Sequence, residues 1–284
     1  MKILDGKHTS QKILDDISSK VERIALDGKR VPRLDLILIG DNFASVKYVQ
    51  IKKKKAKELG IECQIHRLEE NPTTEEVVNI VKTLNAFDKV DGFMVQLPLP
   101  DHIDTNIVLE SINPRKDVDG LTSVNLGRLF QNDPKAIPSA TPLGIMRLLD
   151  EYKIELSGKK VVILGSSNIV GVPLGAMMLR RDATVTICNS KTPNIQEVAK
   201  SAEILISATG VPLLVNSEFL KEGVVVVDVG SNKHPDTGKL VGDVDWEGIQ
   251  GLPSYITPVP GGVGPMTVAS LMLNLMNCYE ENER

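Results

Sequence analysis

A lysine beside a tyrosine on one helical face is a pairing that could carry protons, and Ser45-Val46-Lys47-Tyr48-Val49-Gln50-Ile51-Lys52 offers it. Tyr48 and Lys52 stand four apart, so a helix puts them on one face, with Ser45 and Lys55 beside them. Lysines 52, 53, 54, 55 and 57 wrap most of that helix, and a solvated face is the ordinary fate of such a run. One of them turned into a cleft beside the tyrosine would be desolvated. Its pKa would fall, and it could carry protons near neutral pH. Gln96, in Val95-Gln96-Leu97-Pro98-Leu99-Pro100, ends a strand-like run, and open α/β sheets bind ligands beyond the carboxyl ends of their strands. A lone glutamine there serves loop backbone equally well. Lys116-Asp117-Val118-Asp119-Gly120 sets two carboxylates before a glycine turn. Both suit a turn-capping role, whereas a planar heterocycle with an amidine-like edge would give one of them two parallel hydrogen bonds.

A second kind of chemistry is written further along. Gly165-Ser166-Ser167-Asn168-Ile169-Val170-Gly171 follows an apolar strand and precedes a helix. It fails the GxGxxG pattern, since Ser167 and Val170 occupy two of the glycine positions. A tight glycine turn there still exposes helix N-terminal amides to a pyrophosphate, and Ser166 and Ser167 add hydroxyl donors. The next strand ends in Cys188-Asn189-Ser190-Lys191-Thr192, without the carboxylate that binds ribose hydroxyls in NAD-selective folds. Hydroxyl and lysine would welcome a 2′-phosphate, which favours NADP over NAD. Residues 257–267, Thr-Pro-Val-Pro-Gly-Gly-Val-Gly-Pro-Met-Thr, are too rich in proline and glycine for a helix interior or a central strand. They read as a shaped loop that lets a flat ligand approach the main chain, with a helix beginning near Met266.

The elements that must position these groups alternate. Helix-like periodicity covers 14–26, 44–59, 74–85, 106–112 and 142–152, and strand-like runs cover 33–40, 62–67 and 92–96. In the second half, strands at 159–164, 184–188, 204–208 and 224–229 are separated by helices at 173–181 and 195–201. All-apolar strands between helices indicate parallel sheets covered on both faces. The fold class expected is therefore α/β: two lobes, each a mostly parallel sheet with helices, with a cleft between them. Composition agrees, with 42% hydrophobic and 25% charged residues over 284. A net charge of −4 argues against a nucleic-acid or anionic-membrane partner, and no run approaches membrane-spanning length. Three scattered cysteines and four histidines without ligand spacing point to a reduced, cytoplasmic protein that needs no metal.

Together these segments resemble the bifunctional methylenetetrahydrofolate dehydrogenase/methenyltetrahydrofolate cyclohydrolase family. The resemblance runs through Ser45-x-x-Tyr48-Val49-x-x-Lys52, Val95 to Pro100, Lys116 to Gly120, Gly165 to Gly171, Gly242-Asp243-Val244 and the 257–267 loop. It implies a folate-binding catalytic domain at 1–139 plus the C-terminal helix 265–284, and a Rossmann-type NADP-binding domain at 140–264. Lys52 is implied as the general acid/base of hydrolysis, tuned by Gln96. Tyr48 would pack along the aminobenzoyl group, and Asp119 would bind the pterin edge. Val95, Leu97, Pro260, Gly261, Gly262 and Val263 are implied to line the folate site. Thr141, Gly165, Ser166, Ser167, Ser190 and Ser231 would contact NADP, and a homodimer is implied. Departures from the family pattern fall at Ser139 and Ala140, in place of Pro-Cys, and at Ser166, Asn189 and Ser231 around the cofactor. The competing expectations are a monofunctional dehydrogenase and a non-catalytic nucleotide-sensing module of the same fold.

Overall fold

The computed structural model describes residues 1–68 and 71–283. Its first half runs β1 (Lys2–Ile3), α1 (Gly6–Leu26), β2 (Arg33–Ile39), α2 (Phe43–Glu58), β3 (Glu62–Leu68), α3 (Thr74–Ala86), β4 (Gly92–Val95), α4 (Thr105–Glu110) and α5 (Ser123–Gln131). The second half runs α6 (Ala140–Glu151), β5 (Lys160–Leu164), α7 (Gly171–Leu179), β6 (Thr184–Cys188), α8 (Ile195–Lys200), β7 (Ile204–Ser207), β8 (Val225–Asp228), β9 (Asn232–Lys233), β10 (Leu240–Val241), β11 (Tyr255–Ile256) and α9 (Val263–Asn282). These elements form two compact units. The first comprises Met1–Gln11, Leu129–Asn132 and Thr141–Ser270; the second comprises Lys12–Arg128, Asp133–Ala140 and Leu271–Arg284.

The first unit is built on a six-stranded sheet in the order β1-β11-β8-β7-β5-β6, parallel throughout. Every residue of β7 and β8 is buried, as a strand covered on both faces must be. Register aligns Leu164 with Cys188 and Ser207, and Ser207 with Asp228. The loops that leave β5, β6, β7 and β8 therefore start at one level, at the sheet's carboxyl edge.

The second unit carries a parallel sheet in the order β3-β2-β4. Central strand β2 is buried from Leu34 to Ile39, and Ile37, Ile39, Phe93 and Val95 pack against Val77, Val81 and Leu84 of α3. Each such side chain contributes about 1.5–3 kcal/mol by leaving water. Helix α3 starts on a capping box in which Thr73 Oγ1 accepts from Glu76 N and the Glu76 carboxylate accepts from Thr73 N.

The parallel α/β architecture read from the sequence is present. Several boundaries move. Helix α1 begins at Gly6 rather than at residue 14, where Asp5 accepts from His8 N in the first turn. Helix α7 begins at Gly171 rather than Pro173, and α9 at Val263 rather than Met266, so Gly264 and Pro265 lie in its first turn, where a missing N–H costs nothing. The two-residue strands β1, β9, β10 and β11 are too short to carry a readable period, and the nine-residue helix α5 is not among the expected elements.

Candidate functional site

In the second unit, helix α2 opens at Asn42, whose Oδ1 accepts from the amides of Ala44 and Ser45. Its buried residues are Ser45, Val49, Lys52 and Ala56, a single stripe spaced four, three, four. Lys52 is thus the one lysine of the run that lies in the apolar seam; it is 8% exposed, while Lys53, Lys54 and Lys57 face water. Its Nζ donates to Gln96 Oε1 at 2.9 Å and to Met94 Sδ at 3.2 Å. The amide is oriented for this: Gln96 Nε2 donates to Leu97 O at 2.7 Å, which leaves Oε1 facing the amine. A thioether is a weak acceptor, so the ammonium has exchanged water for a sparse shell. Burial accordingly lowers the Lys52 pKa, with Asp119 pulling it partly back.

Asp119 shows the complementary effect. Burial raises its pKa, Lys52 lowers it and Asp117 raises it further. Among the described residues no hydrogen bond or ion pair joins Asp119 to Lys52; they interact through space. The turn that carries Asp119 is held on several sides. Phe93 N donates to Lys116 O, which lays the segment beside β4. Asp117, buried, accepts from Gly120 N, Thr122 N and Asn125 Nδ2 at 2.9, 2.9 and 3.1 Å, so it takes the turn-capping role and leaves Asp119 uncommitted. Ser139 Oγ donates to Gly120 O, and Asn274 Nδ2 of α9 donates to both Val118 O and Pro138 O. Gly120 has φ +67, and a Cβ there would collide with Pro138, so only glycine fits.

Tyr48 is 42% exposed on α2, Val95 is buried at the end of β4, and Leu97 is half-buried beyond it. Leu97–Pro98 is a cis peptide. Lys52, Gln96 and Asp119 are thus brought into one patch of the second unit. Pro260, Gly261, Gly262 and Val263 belong to the first unit. There Gly262 N donates to Pro258 O, Lys7 N donates to Gly261 O, and a Cβ on Gly6 would strike Gly262 O. The glycines of this loop are demanded in part by its own packing on the N-terminal segment.

Also in the first unit, Gly165 takes φ +122 after β5, where a Cβ would run into Ala208 O. A Cβ on Gly171 would strike Gly165 O, which explains the displaced second glycine: it lets α7 start directly on the turn. Val170, the N-cap of α7, makes no side-chain cap. Ser166, Ser167, Ser190 and Ser231 are exposed at the carboxyl edge of the sheet, after β5, β6 and β8. Thr141 lies at the start of α6, where its hydroxyl meets Thr267 Oγ1 at 3.0 Å. The donor set suits a dinucleotide: a turn without room for side chains, hydroxyls around it, and no carboxylate at the end of β6.

A family model described as the tetrahydrofolate dehydrogenase/cyclohydrolase catalytic domain matches residues 4–119, and that of the NAD(P)-binding domain matches residues 139–283. The chain belongs to this tetrahydrofolate dehydrogenase/cyclohydrolase family. It is 45% identical to the bifunctional protein FolD of Aliarcobacter butzleri over 100% of this chain and 98% of that one. Among solved structures, the Campylobacter jejuni FolD methylenetetrahydrofolate dehydrogenase/cyclohydrolase superposes with a TM-score of 0.96 at 45% identity, covering 99% of each chain. The Trypanosoma brucei dehydrogenase-cyclohydrolase, solved with NADP and an inhibitor, superposes with a TM-score of 0.94 at 36% identity over 99% of this chain and 98% of that one. Membership gives the chain a tetrahydrofolate dehydrogenase/cyclohydrolase catalytic domain and an NAD(P)-binding domain.

Sequence reasoning did not find Met94, which lies in an all-apolar strand and sends no signal. It also passed over Asn274, although a polar residue inside Leu271-Met272-Leu273-Asn274-Leu275-Met276 is conspicuous. Ser45 Oγ, on the Lys52 stripe, is buried and has no hydrogen-bond partner among the described residues.

Proposed function

We propose that this protein oxidises 5,10-methylenetetrahydrofolate to 5,10-methenyltetrahydrofolate with NADP, and then hydrolyses that cation to 10-formyltetrahydrofolate. The observation that carries the reading is Lys52: a buried amine held by an amide oxygen and a thioether, with its pKa lowered, beside a carboxyl whose pKa is raised. Bound NADP would supply the acceptor for the hydride of the one-carbon bridge. That step needs the chain to position its reactants rather than move a proton. Hydrolysis does need a base. Neutral Lys52, held in place by Gln96, takes a proton from the water that adds to the methenyl carbon; the Lys52 ammonium then gives that proton to one ring nitrogen as its C–N bond breaks, and the carbinol hydroxyl releases its proton to solvent as the formyl C=O forms. Asp119 binds the pterin edge, Tyr48 lies along the aminobenzoyl group, and Val95, Leu97, Pro260, Gly261, Gly262 and Val263 line the rest.

Gly165, Ser166 and Ser167 are the residues that would hold the diphosphate, with Ser190 at the 2′-phosphate and Thr141 and Ser231 completing the set. Residues 1–139 with 265–284 form the folate-binding domain, and 140–264 the cofactor domain. A cytoplasmic homodimer supplying one-carbon units to purine biosynthesis, without nucleic-acid or membrane partners, is the setting we assign. A monofunctional dehydrogenase or a sensing module would not need the Tyr48, Lys52, Gln96 and Asp119 set, all of which is present. The test is turnover of methylenetetrahydrofolate with NADP against NAD. We expect kcat/KM at least tenfold higher with NADP, and formation of the 10-formyl product; equal use of both coenzymes would remove the 2′-phosphate assignment.

A further inference from the structure

Asp243 lies in the Gly242-Asp243-Val244 segment, is fully buried, and faces five donors. Its Oδ2 accepts from Ser207 Oγ at 3.0 Å, Thr209 N at 2.7 Å, Thr209 Oγ1 at 2.9 Å and Gly210 N at 3.3 Å. Its Oδ1 accepts from Asn232 Nδ2 at 2.8 Å. These donors come from the end of β7 and the turn after it, and from Asn232 at the start of β9, beyond β8. Residues 208–210 follow β7, and their first member abuts the Gly165 turn, where a Cβ would meet Ala208 O. Residues 229–232 follow β8 and include Ser231. Asp243 is itself fixed from behind by Asp228, which accepts from Asp243 N, Val244 N and Gly230 N at 3.0, 3.0 and 2.8 Å. Gly230 has no room for a Cβ beside Asp243, so this loop is pressed against the carboxylate. An acceptor-only group surrounded by donors is what an anionic side chain satisfies and an amide cannot.

We infer that Asp243 is a positioning residue for cofactor binding: one carboxylate ties the loop behind the Gly165 phosphate turn to the Ser231 loop, so that both walls of the NADP site are set before the cofactor arrives. The inference rests on the proposed dinucleotide site. It differs from a general structural role because the groups that would carry the hydrolytic proton, Lys52 and Gln96, lie in the other unit and need no cofactor.

The experiment compares wild type with Asp243→Ala in three measurements. In the cofactor-free protein, hydrogen exchange should show the Thr209 amide protected in wild type and at least tenfold faster in the variant. Calorimetric titration should show NADP binding weakened at least tenfold. Cyclohydrolase turnover of methenyltetrahydrofolate, measured without NADP, should stay within twofold. Asn232→Ala, which cuts a single strut and leaves the carboxylate in place, should weaken NADP binding about threefold with the same cyclohydrolase rate, and it decides the matter by these criteria if Asp243→Ala does not fold. NADP affinity that does not move, or hydrolysis that falls in parallel with it, overturns the inference. Wild type that neither binds nor uses NADP overturns the functional reading as well.

Discussion

The two units each bury charged groups, and they treat them in opposite ways. Around Asp243 and Asp228 every carboxylate oxygen is met by donors of fixed geometry. Among the described residues the shell around Lys52 is thin, with one amide oxygen and a weak sulfur acceptor, a neighbouring Asp119 without an ion-pair partner, and a Ser45 hydroxyl with no hydrogen bond. A fully met carboxylate is rigid and chemically quiet. A sparsely met amine changes protonation easily and leaves its remaining donor for a substrate. The first arrangement suits a fixed support, and the second suits a group that moves a proton.

The contrast breaks most sharply at Lys52. Lys52→Met keeps the length and the apolar stem and removes the proton carrier, so cyclohydrolase kcat should fall by about 10²–10⁴-fold, the range of general acid–base catalysis. Dehydrogenase activity should persist, reduced by less than tenfold. Single-turnover assays of each step on the same preparation give both numbers; a variant that hydrolyses methenyltetrahydrofolate normally would remove Lys52 from the proton path.

A smaller effect tests the quiet side. Burial pushes the Asp228 carboxyl up to about 6 from its ordinary 3.8, against the three backbone N–H groups that favour the anion. The native state therefore holds this proton more tightly than the unfolded chain does. The stability this supplies is complete below the unfolded value and is lost as pH rises through about 6. The size is about 3 kcal/mol for a displacement of this extent. Denaturant unfolding of wild type and Asp228→Asn at pH 4, 5, 6 and 7 isolates the term, because other groups titrate in both. Wild type should lose stability relative to the variant as pH rises from 4 to 7; a flat difference would show that the backbone donors cancel the burial.

How much of this was legible follows from the range of the forces involved. The α/β class and the strands β2 to β8 could be read because apolar runs and helical periodicity are local. Lys52 could be singled out only through its tyrosine neighbour and the family likeness, since nothing in five lysines says which lies in the buried stripe; that is decided by the phase set by Asn42 and by Val49 and Ala56. Asp117 and Asp119 look alike in sequence, and only the amides of Gly120 and Thr122 separate the capping acid from the uncommitted one. Met94 and the five donors on Asp243 come from segments far apart in the chain, beyond any local pattern.

The smallest expected effect concerns Gln96, and it asks whether the thin shell tunes Lys52 or only orients it. A neutral acceptor 2.9 Å from the amine stabilises the ammonium more than the free base. Removing it by Gln96→Leu leaves burial as the main influence and takes away a counterweight, so the Lys52 pKa should drop further. In the pH profile of cyclohydrolase kcat the acidic limb reports the base, and it should move to lower pH by about one unit, the equivalent of about 1.4 kcal/mol. A purely orienting glutamine would lower the rate at all pH values and leave the limb in place. A limb that moves upward would mean that the amide favours the neutral amine, and the tuning assigned to Gln96 would have the wrong sign.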